Sequence, residues 1–477
     1  MSKKIIVLLA IVVVIGLLMG ALYFVQKIEP AQEGTGISLP DAIYVLGAPG
    51  NTNRAVNVQI KNEKNEFTVV DTKPNEPKNP FNFTIEGYED IYLNYYEIMA
   101  LADRASNLVV QRVIEESSTD LVTYGLDKPN TTIDIKYADN TSAKLVFGAK
   151  APGESGIYSM KDGDPAVYLL YLTSAEYFLR DSLDFVDLTI TLGNPQESLV
   201  IEAVLGGTVR EEEIVIKEAL PLNEATGQMA FAMHDILEPI KARLHITSGL
   251  EPIVNTFGMY ASSVEAKVEN ADDLQEYGLA EPYSTIYINS ESDTFKLLAS
   301  APDNEGNCYI MREGVPLVYV VPQNSLPWLT LTPFQIMDKM LVLPFIDTVK
   351  DVKVVTPDAI SVFELDGEED ALTVTINGQP YEDVRNFRQY YQTLLAASYE
   401  TYTEDELPEN AKPILQFTYS YRNGSEPTTI SFYEGAARKV FIQLNDESPM
   451  YAISSYVDRV ISDTAKIVAG ETIRSYY

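Results

Sequence analysis

Asp120-Leu121-Val122-Thr123-Tyr124-Gly125-Leu126-Asp127-Lys128-Pro129 decides how the chain is read, because it returns as Asp273-Leu274-Gln275-Glu276-Tyr277-Gly278-Leu279-Ala280-Glu281-Pro282. The shared pattern is D-L-x-x-Y-G-L-x-x-P. Asp120 and Asp273 suit the N-cap of a single helical turn, and Gly125 and Gly278 suit the left-handed position that ends it. Leu126 and Leu279 can fold back onto the turn, while Pro129 and Pro282 prevent the helix from resuming. Such a knuckle, with Tyr124 or Tyr277 at its tip, is punctuation and carries no chemistry. Its recurrence predicts a chain built from repeated, domain-sized units.

A second landmark follows each knuckle at a matched interval. Tyr158 precedes Tyr168 by ten residues, Tyr309 precedes Tyr319 by ten, and Phe441 precedes Tyr451 by ten. Around these, apolar alternation predicts strands, as at Val56, Val58 and Ile60 or Thr131–Tyr137 and Ser142–Phe147. The third knuckle has decayed to Glu404-Asp405-Glu406-Leu407-Pro408. Helical spacing predicts helices near Ile91–Leu108, Ser174–Ser182, Met229–Arg243, Glu251–Tyr260 and Val384–Ala397. A terminal helix carries Val457, Val460, Ile461, Thr464 and Val468 on one face. The expected fold is α+β: three units at 53–190, 191–346 and 347–477, each a mostly antiparallel sheet with helices on one face.

Before these units, Ser2-Lys3-Lys4 is followed by an uncharged run from Ile5 to Val25. As a helix it would measure about 31 Å, enough to cross a bilayer core. It exceeds the usual apolar core of a signal peptide, and Gln26-Lys27-Ile28-Glu29-Pro30 offers no small-x-small cleavage site. The expectation is a single-pass anchor at 5–25, a cytoplasmic 1–4, a linker at 26–52 and the bulk of the chain outside the cytoplasm. The chain of 477 residues carries 69 acidic against 35 basic side chains, a net charge of −34. That imbalance argues against nucleic acid and anionic lipid headgroups as partners and fits a basic partner, weak cation binding or a solvated acidic surface.

Reactive constellations are scarce. Cys308 is the only cysteine, which excludes an intrachain disulfide and a thiolate cage, and it reads as a small buried hydrophobe. His234 and His245 are the only histidines, and Pro239 interrupts any helix that would align them. They read as solvated or capping residues. Asp162-Gly163-Asp164 and Asp366-Gly367-Glu368 read as hairpin turns, without the remainder of a calcium loop. No catalytic residue, cofactor or metal is expected. Tyrosine is abundant, at 30 residues. Tyr95-Tyr96, Tyr390-Tyr391 and Tyr419-Ser420-Tyr421 are candidate stacking surfaces for sugar or peptide.

The N-terminal apolar run, strand pairs, a Pro loop before a helix, and Y-G-L-x-x-P before a hairpin together resemble a bacterial family, domain of unknown function 4340. The matching landmarks are Tyr124-Gly125-Leu126-Asp127-Lys128-Pro129 and Tyr277-Gly278-Leu279-Ala280-Glu281-Pro282. The likeness covers the first two units well and the third in outline. The family has no established activity, so no catalytic residue carries over. The resemblance implies a role beside ABC-2 type transporters of the gliding-motility kind, with a permease or auxiliary membrane subunit as partner. The expected function is that of a non-catalytic, anchored accessory protein outside the cytoplasm. An independent envelope protein contacting polysaccharide or peptide through tyrosines is the alternative, and the sequence leaves the oligomeric state open.

Overall fold

The computed structural model describes residues 42–74, 82–219, 233–270, 272–368, 371–403, 405–445 and 450–473. They divide into two compact units. One takes the described residues up to Phe83 together with Met99–Arg180, and the other takes Thr84–Ile98 and the described residues from Asp181 onward.

The first sheet has nine strands. They are β1 (Tyr44–Leu46), β2 (Ala55–Lys61), β3 (Glu66–Asp71), β4 (Phe83–Ile85), β5 (Leu108–Glu115), β6 (Thr131–Tyr137), β7 (Ser142–Lys150), β8 (Ile157–Lys161) and β9 (Val167–Leu170). Their order is β1-β5-β9-β8-β7-β6-β2-β3-β4. Alternation drives it: Val58, Ile60, Ile133, Ile135, Leu145 and Phe147 are all buried, with half-exposed or exposed residues between them. The meander β6–β9 joins the meander β2–β4 through the antiparallel β2·β6 pair, where Val58 stands opposite Ile135.

The second sheet repeats this connectivity. Its strands are β10 (Val200–Gly206), β11 (Ile214–Glu218), β12 (His234–Glu238), β13 (Ala242–Arg243), β14 (Ser263–Lys267), β15 (Ser284–Ser290), β16 (Thr294–Ala299), β17 (Asn307–Arg312) and β18 (Leu317–Pro322). Read from the same end as the first, the order is β14-β18-β17-β16-β15-β10-β11-β12-β13. The third sheet contains β19 (Val349–Val355), β20 (Ile360–Asp366), β21 (Thr373–Ile376), β22 (Gln379–Tyr381), β23 (Leu415–Tyr421), β24 (Thr428–Glu434), β25 (Lys439–Leu444) and β26 (Met450–Ile453). Its order is β26-β25-β24-β23-β19-β20-β21-β22. The strand that precedes the knuckle, β5 or β14, pairs with the last strand of the meander, β9 or β18. In the third sheet an isolated bridge, Thr401 to Tyr451, marks that place.

This architecture corrects the α+β expectation. The described chain is mostly antiparallel sheet with few helices: α1 (Tyr95–Ser106), α2 (Val384–Leu395), α3 (Ser454–Val468) and single turns. Of the helix expected over Met229–Arg243, the described part is β12 and β13. His234 and Ile236 point inward and pair with β11, a partner that local helical spacing cannot reveal. Over Glu251–Tyr260 only Glu251–Val254 is α-helical, and Gly258 at φ +68° ends that course. Over Ser174–Ser182 only the short turns Leu172–Ala175 and Glu176–Phe178 are helical on its N-terminal side. No described helix is long and apolar enough to cross a membrane. The run Ile5–Val25 lies outside the described residues.

Helices α2 and α3 contribute much of the aromatic core of the third sheet. Phe363 meets Phe387 and Tyr390 at 5.7 and 5.0 Å, and Tyr391 meets Tyr419 edge-on at 6.1 Å. The Tyr390 hydroxyl is paired with Thr464 Oγ1 at 2.7 Å, whereas the Tyr419 hydroxyl is buried with no hydrogen-bond partner. The two should therefore respond to phenylalanine with opposite signs. Tyr419→Phe removes an unsatisfied polar atom and should stabilise by about 1 kcal/mol, while Tyr390→Phe should cost about as much. Urea midpoints followed by circular dichroism test this, and a loss in both variants would mean that the Tyr419 hydroxyl has a partner.

Candidate functional site

The knuckle residues serve structure. Gly125 and Gly278 take φ +65° and +67°, and the Leu126 and Leu279 amides close onto Leu121 and Leu274 carbonyls at 2.9 Å. Leu126 and Leu279 are buried. Tyr124 packs edge-on against Tyr158 at 4.9 Å, and Tyr277 against Tyr309 at 5.1 Å, so each knuckle meets the second landmark of its own sheet. In the third sheet Leu407 packs instead on Tyr433, Phe441 and Tyr451.

The caps differ. Asp120 accepts from the Thr123 amide at 3.3 Å, as an N-cap does. Asp273 is the first residue of its helical turn and accepts from the preceding Glu269 and Asn270 amides at 3.0 and 2.9 Å. The prolines mark strand entries: Pro129 comes just before β6, and the Pro282 carbonyl accepts from the Thr208 amide.

The remaining sequence candidates are passive. Cys308 is buried, and that burial pushes its thiol up to about 11, away from thiolate chemistry. His234 lies in β12 with Nε2 against the Val200 carbonyl at 2.7 Å, and His245 Nδ1 accepts from the Ser248 amide at 3.2 Å. They lie on no common helix; His245 caps a turn, whereas the buried His234 corrects the expectation of a solvated or capping residue, because its strand faces the core. Gly163 and Gly367 sit at φ +77° and +83°, as hairpin turns require. Among the described residues no group of three His, Cys, Asp or Glu is set to hold a metal ion.

Of the three tyrosine clusters, two are interior. Tyr390, Tyr391, Tyr419 and Tyr421 are buried, because they face the helices that cover the third sheet. The third cluster, Tyr95-Tyr96, opens α1 with rings 4.1 Å apart, and Tyr96 is 71% exposed.

Close to it in the chain is a surface that sequence reasoning missed. Leu93 bridges Val186 and the Asp187 amide donates to the Tyr92 carbonyl, while Thr189 bridges Tyr260. Three short segments thus form an irregular antiparallel ribbon. Val186 and Ile190 are buried on one side of it. Strand alternation places Tyr92, Asp187, Thr189 and Tyr260 together on the other. Tyr92 is 88% exposed and Tyr260 is 69% exposed. Asp187 Oδ1 also accepts from the Thr189 amide at 2.8 Å, which fixes the carboxylate in place. Two exposed rings flanking fixed polar groups can stack on and orient a ligand or partner chain. No signal within any one segment predicts this surface, since its parts are joined by non-local bridges.

A family model described as a domain of unknown function, DUF4340, matches residues 84–218 and 253–413. These spans make up more than half of the chain and include all four ribbon residues. No curated protein and no solved structure matches the chain.

Proposed function

We propose, for a chain that belongs to the DUF4340 family, a non-catalytic binding role as an accessory protein held at the outer face of a membrane. The observation that carries a binding role is the ribbon of Tyr92, Asp187, Thr189 and Tyr260, in which two large rings stand in solvent on a fixed polar frame. Exposed tyrosines of this kind are favoured anchors for partner recognition. The apolar run Ile5–Val25 supports tethering, which restricts the domains to the membrane surface and raises their effective concentration toward lateral partners. The partner proposed is a permease or auxiliary subunit of an ABC-2 type transporter of the gliding-motility kind. The net charge of −34 favours a neutral or basic contact surface.

The test is photocrosslinking in native membranes from positions 92 and 260, with the crosslinked partner identified by mass spectrometry. A transporter membrane subunit captured from both positions, and from neither of two control positions at Lys128 and Lys136, is the expected result. A second reading rests on Asp187 and Thr189, which suit the hydroxyls of a glycan stacked between the two tyrosines. Retention of the chain on envelope polysaccharide, lost on Tyr92→Ala/Tyr260→Ala and with no protein crosslink, would favour that reading. Protease added outside spheroplasts tests the topology. Resistance of the large domain there, despite digestion after lysis, would place it in the cytoplasm and overturn the accessory role.

A further inference from the structure

The outward face of the third sheet carries a cleft of about 520 Å³ that has no part in the tyrosine ribbon. Its geometry begins with a register shift in β19 between Val349 and Asp351. Val349, Val352 and Val354 face the core, so the shift turns Lys350 and Asp351 outward together, on the same side as Lys353. Bulges of this kind redirect side chains toward a site. Strand pairing then sets Thr375, Glu364, Asp351 and Ser420 in one row across β21, β20, β19 and β23.

Two carboxylates directly opposite each other should repel. Each bonds instead to its outer neighbour: Ser420 Oγ donates to Asp351 at 2.9 Å and Thr375 Oγ1 donates to Glu364 at 2.6 Å. The third carboxylate of the cleft, Asp366, accepts from Arg422 Nη1 at 3.1 Å and from the Gly367 amide at 3.0 Å. Arg422 is further fastened to the Val349 and Leu365 carbonyls at 3.3 and 2.9 Å. Every acidic group in the cleft therefore has a partner within the protein. Lys350 and Lys353 line the same cleft, and among the described residues neither ammonium group has an ion pair or hydrogen bond.

We infer that this cleft binds an oxyanion-bearing sugar, with its carboxylate or phosphate held between Lys350 and Lys353. The volume suits a ligand of one or two sugar rings. Val362 supplies an apolar patch for the ring, and the row of carboxylates and hydroxyls supplies acceptors and donors for its hydroxyl groups. Within the cleft Lys350, Lys353 and Arg422 balance the three carboxylates, and acidic charge elsewhere on the chain is largely screened beyond about 8 Å at physiological salt, so the two lysines without a partner are the charges left to meet an anion. The inference is independent of the role given to the tyrosines.

Calorimetric titration of the full-length chain in neutral detergent at constant ionic strength tests it. Three probes separate the chemistry: a uronic-acid disaccharide, inorganic phosphate, and a neutral disaccharide of the same size. Saturable binding of the uronic-acid probe is expected, with weaker binding of phosphate and none of the neutral sugar. Lys350→Gln/Lys353→Gln should weaken the uronic-acid probe about tenfold, as loss of two exposed ionic contacts implies. Lys128→Gln/Lys136→Gln, which removes two other exposed lysines, should leave the affinity unchanged. Equal affinity for the neutral sugar, absence of saturable binding to either anion, or an equal loss in both double variants would overturn the assignment.

Discussion

Arg210→Met will shift the unfolding transition of the second sheet to lower urea by the equivalent of ~4 kcal/mol. The Arg210 side chain is a half-buried cation that makes no ion pair among the described residues. Its Nε donates to the Leu331 carbonyl at 3.1 Å, and Nη1 donates to the Gly206 carbonyl and Ser284 Oγ, both at 2.8 Å. Nη2 reaches the Trp328 and Leu329 carbonyls at 2.8 and 3.2 Å. Burial draws the guanidinium down to about 10, still fully charged at neutral pH. One side chain thus clamps the turn after β10 to β15 and to the segment 328–331. Methionine keeps the apolar stem but leaves five acceptors without this donor. Arg210→Lys should recover less than half of the loss, because three donors at one point cannot reproduce a planar fork. The readout is local by construction. Trp328 is the only tryptophan in the chain and is fully buried, so its emission follows this locus alone. An unchanged midpoint in Arg210→Met would show that the clamp contributes nothing to stability.

The clamp was invisible in the sequence, and the reason applies to the candidate site as well. Strands such as β6 and β15 were legible because burial alternates with a period of two within seven residues. The terminal helix was legible on the same grounds, since Val457, Val460 and Thr464 do face the core. Yet its neighbours show how coarse that reading is: Val468 stands exposed, while Asp463 is buried and held by Arg459 and Lys466. The segment 234–238 read as helix because its strand partner, β11, lies beyond any local window. The tyrosines were ambiguous for a related reason. A phenol ring suits a core or a surface equally, and only the face of the sheet decides. Tyr419 packs inward against Tyr391, whereas Tyr92 and Tyr260 are turned out by single bridges to residues far along the chain. Local periodicity therefore conveyed the elements, and non-local register determined the site.

The same distinction predicts that the two copies of the knuckle will tolerate change differently. In the first sheet the knuckle is fastened to β7 by the Ala149 amide, which donates to the Tyr124 carbonyl at 2.8 Å. That approach leaves no room at the preceding residue. A Cβ on Gly148 would stand 2.2 Å from the Tyr124 carbonyl oxygen and 3.0 Å from the Gly125 carbonyl carbon. By strand pairing, Thr131 opposite Phe147 and Ser284 opposite Ala299, the residue that takes the place of Gly148 in the second sheet is Ser300. There the knuckle stands farther off, and a Cβ on Gly278 would meet nothing nearer than Ser300 Cβ at 3.6 Å. Gly278→Ala should therefore cost only the left-handed backbone penalty, about 1 kcal/mol. Gly148→Ala must push the knuckle off its strand and break the Ala149 bond, at a cost of about 3 kcal/mol. Hydrogen exchange by mass spectrometry distinguishes the two. Segments 120–129 and 142–150 should lose protection together in Gly148→Ala, while 273–282 keeps most of its protection in Gly278→Ala. Equal effects would mean that the close approach at Gly148 adds nothing to the hold of the first knuckle on its strand. A larger effect at Gly148, a residue outside the pattern, would mean that the motif specifies the turn alone and that its hold on the sheet depends on the strand it meets.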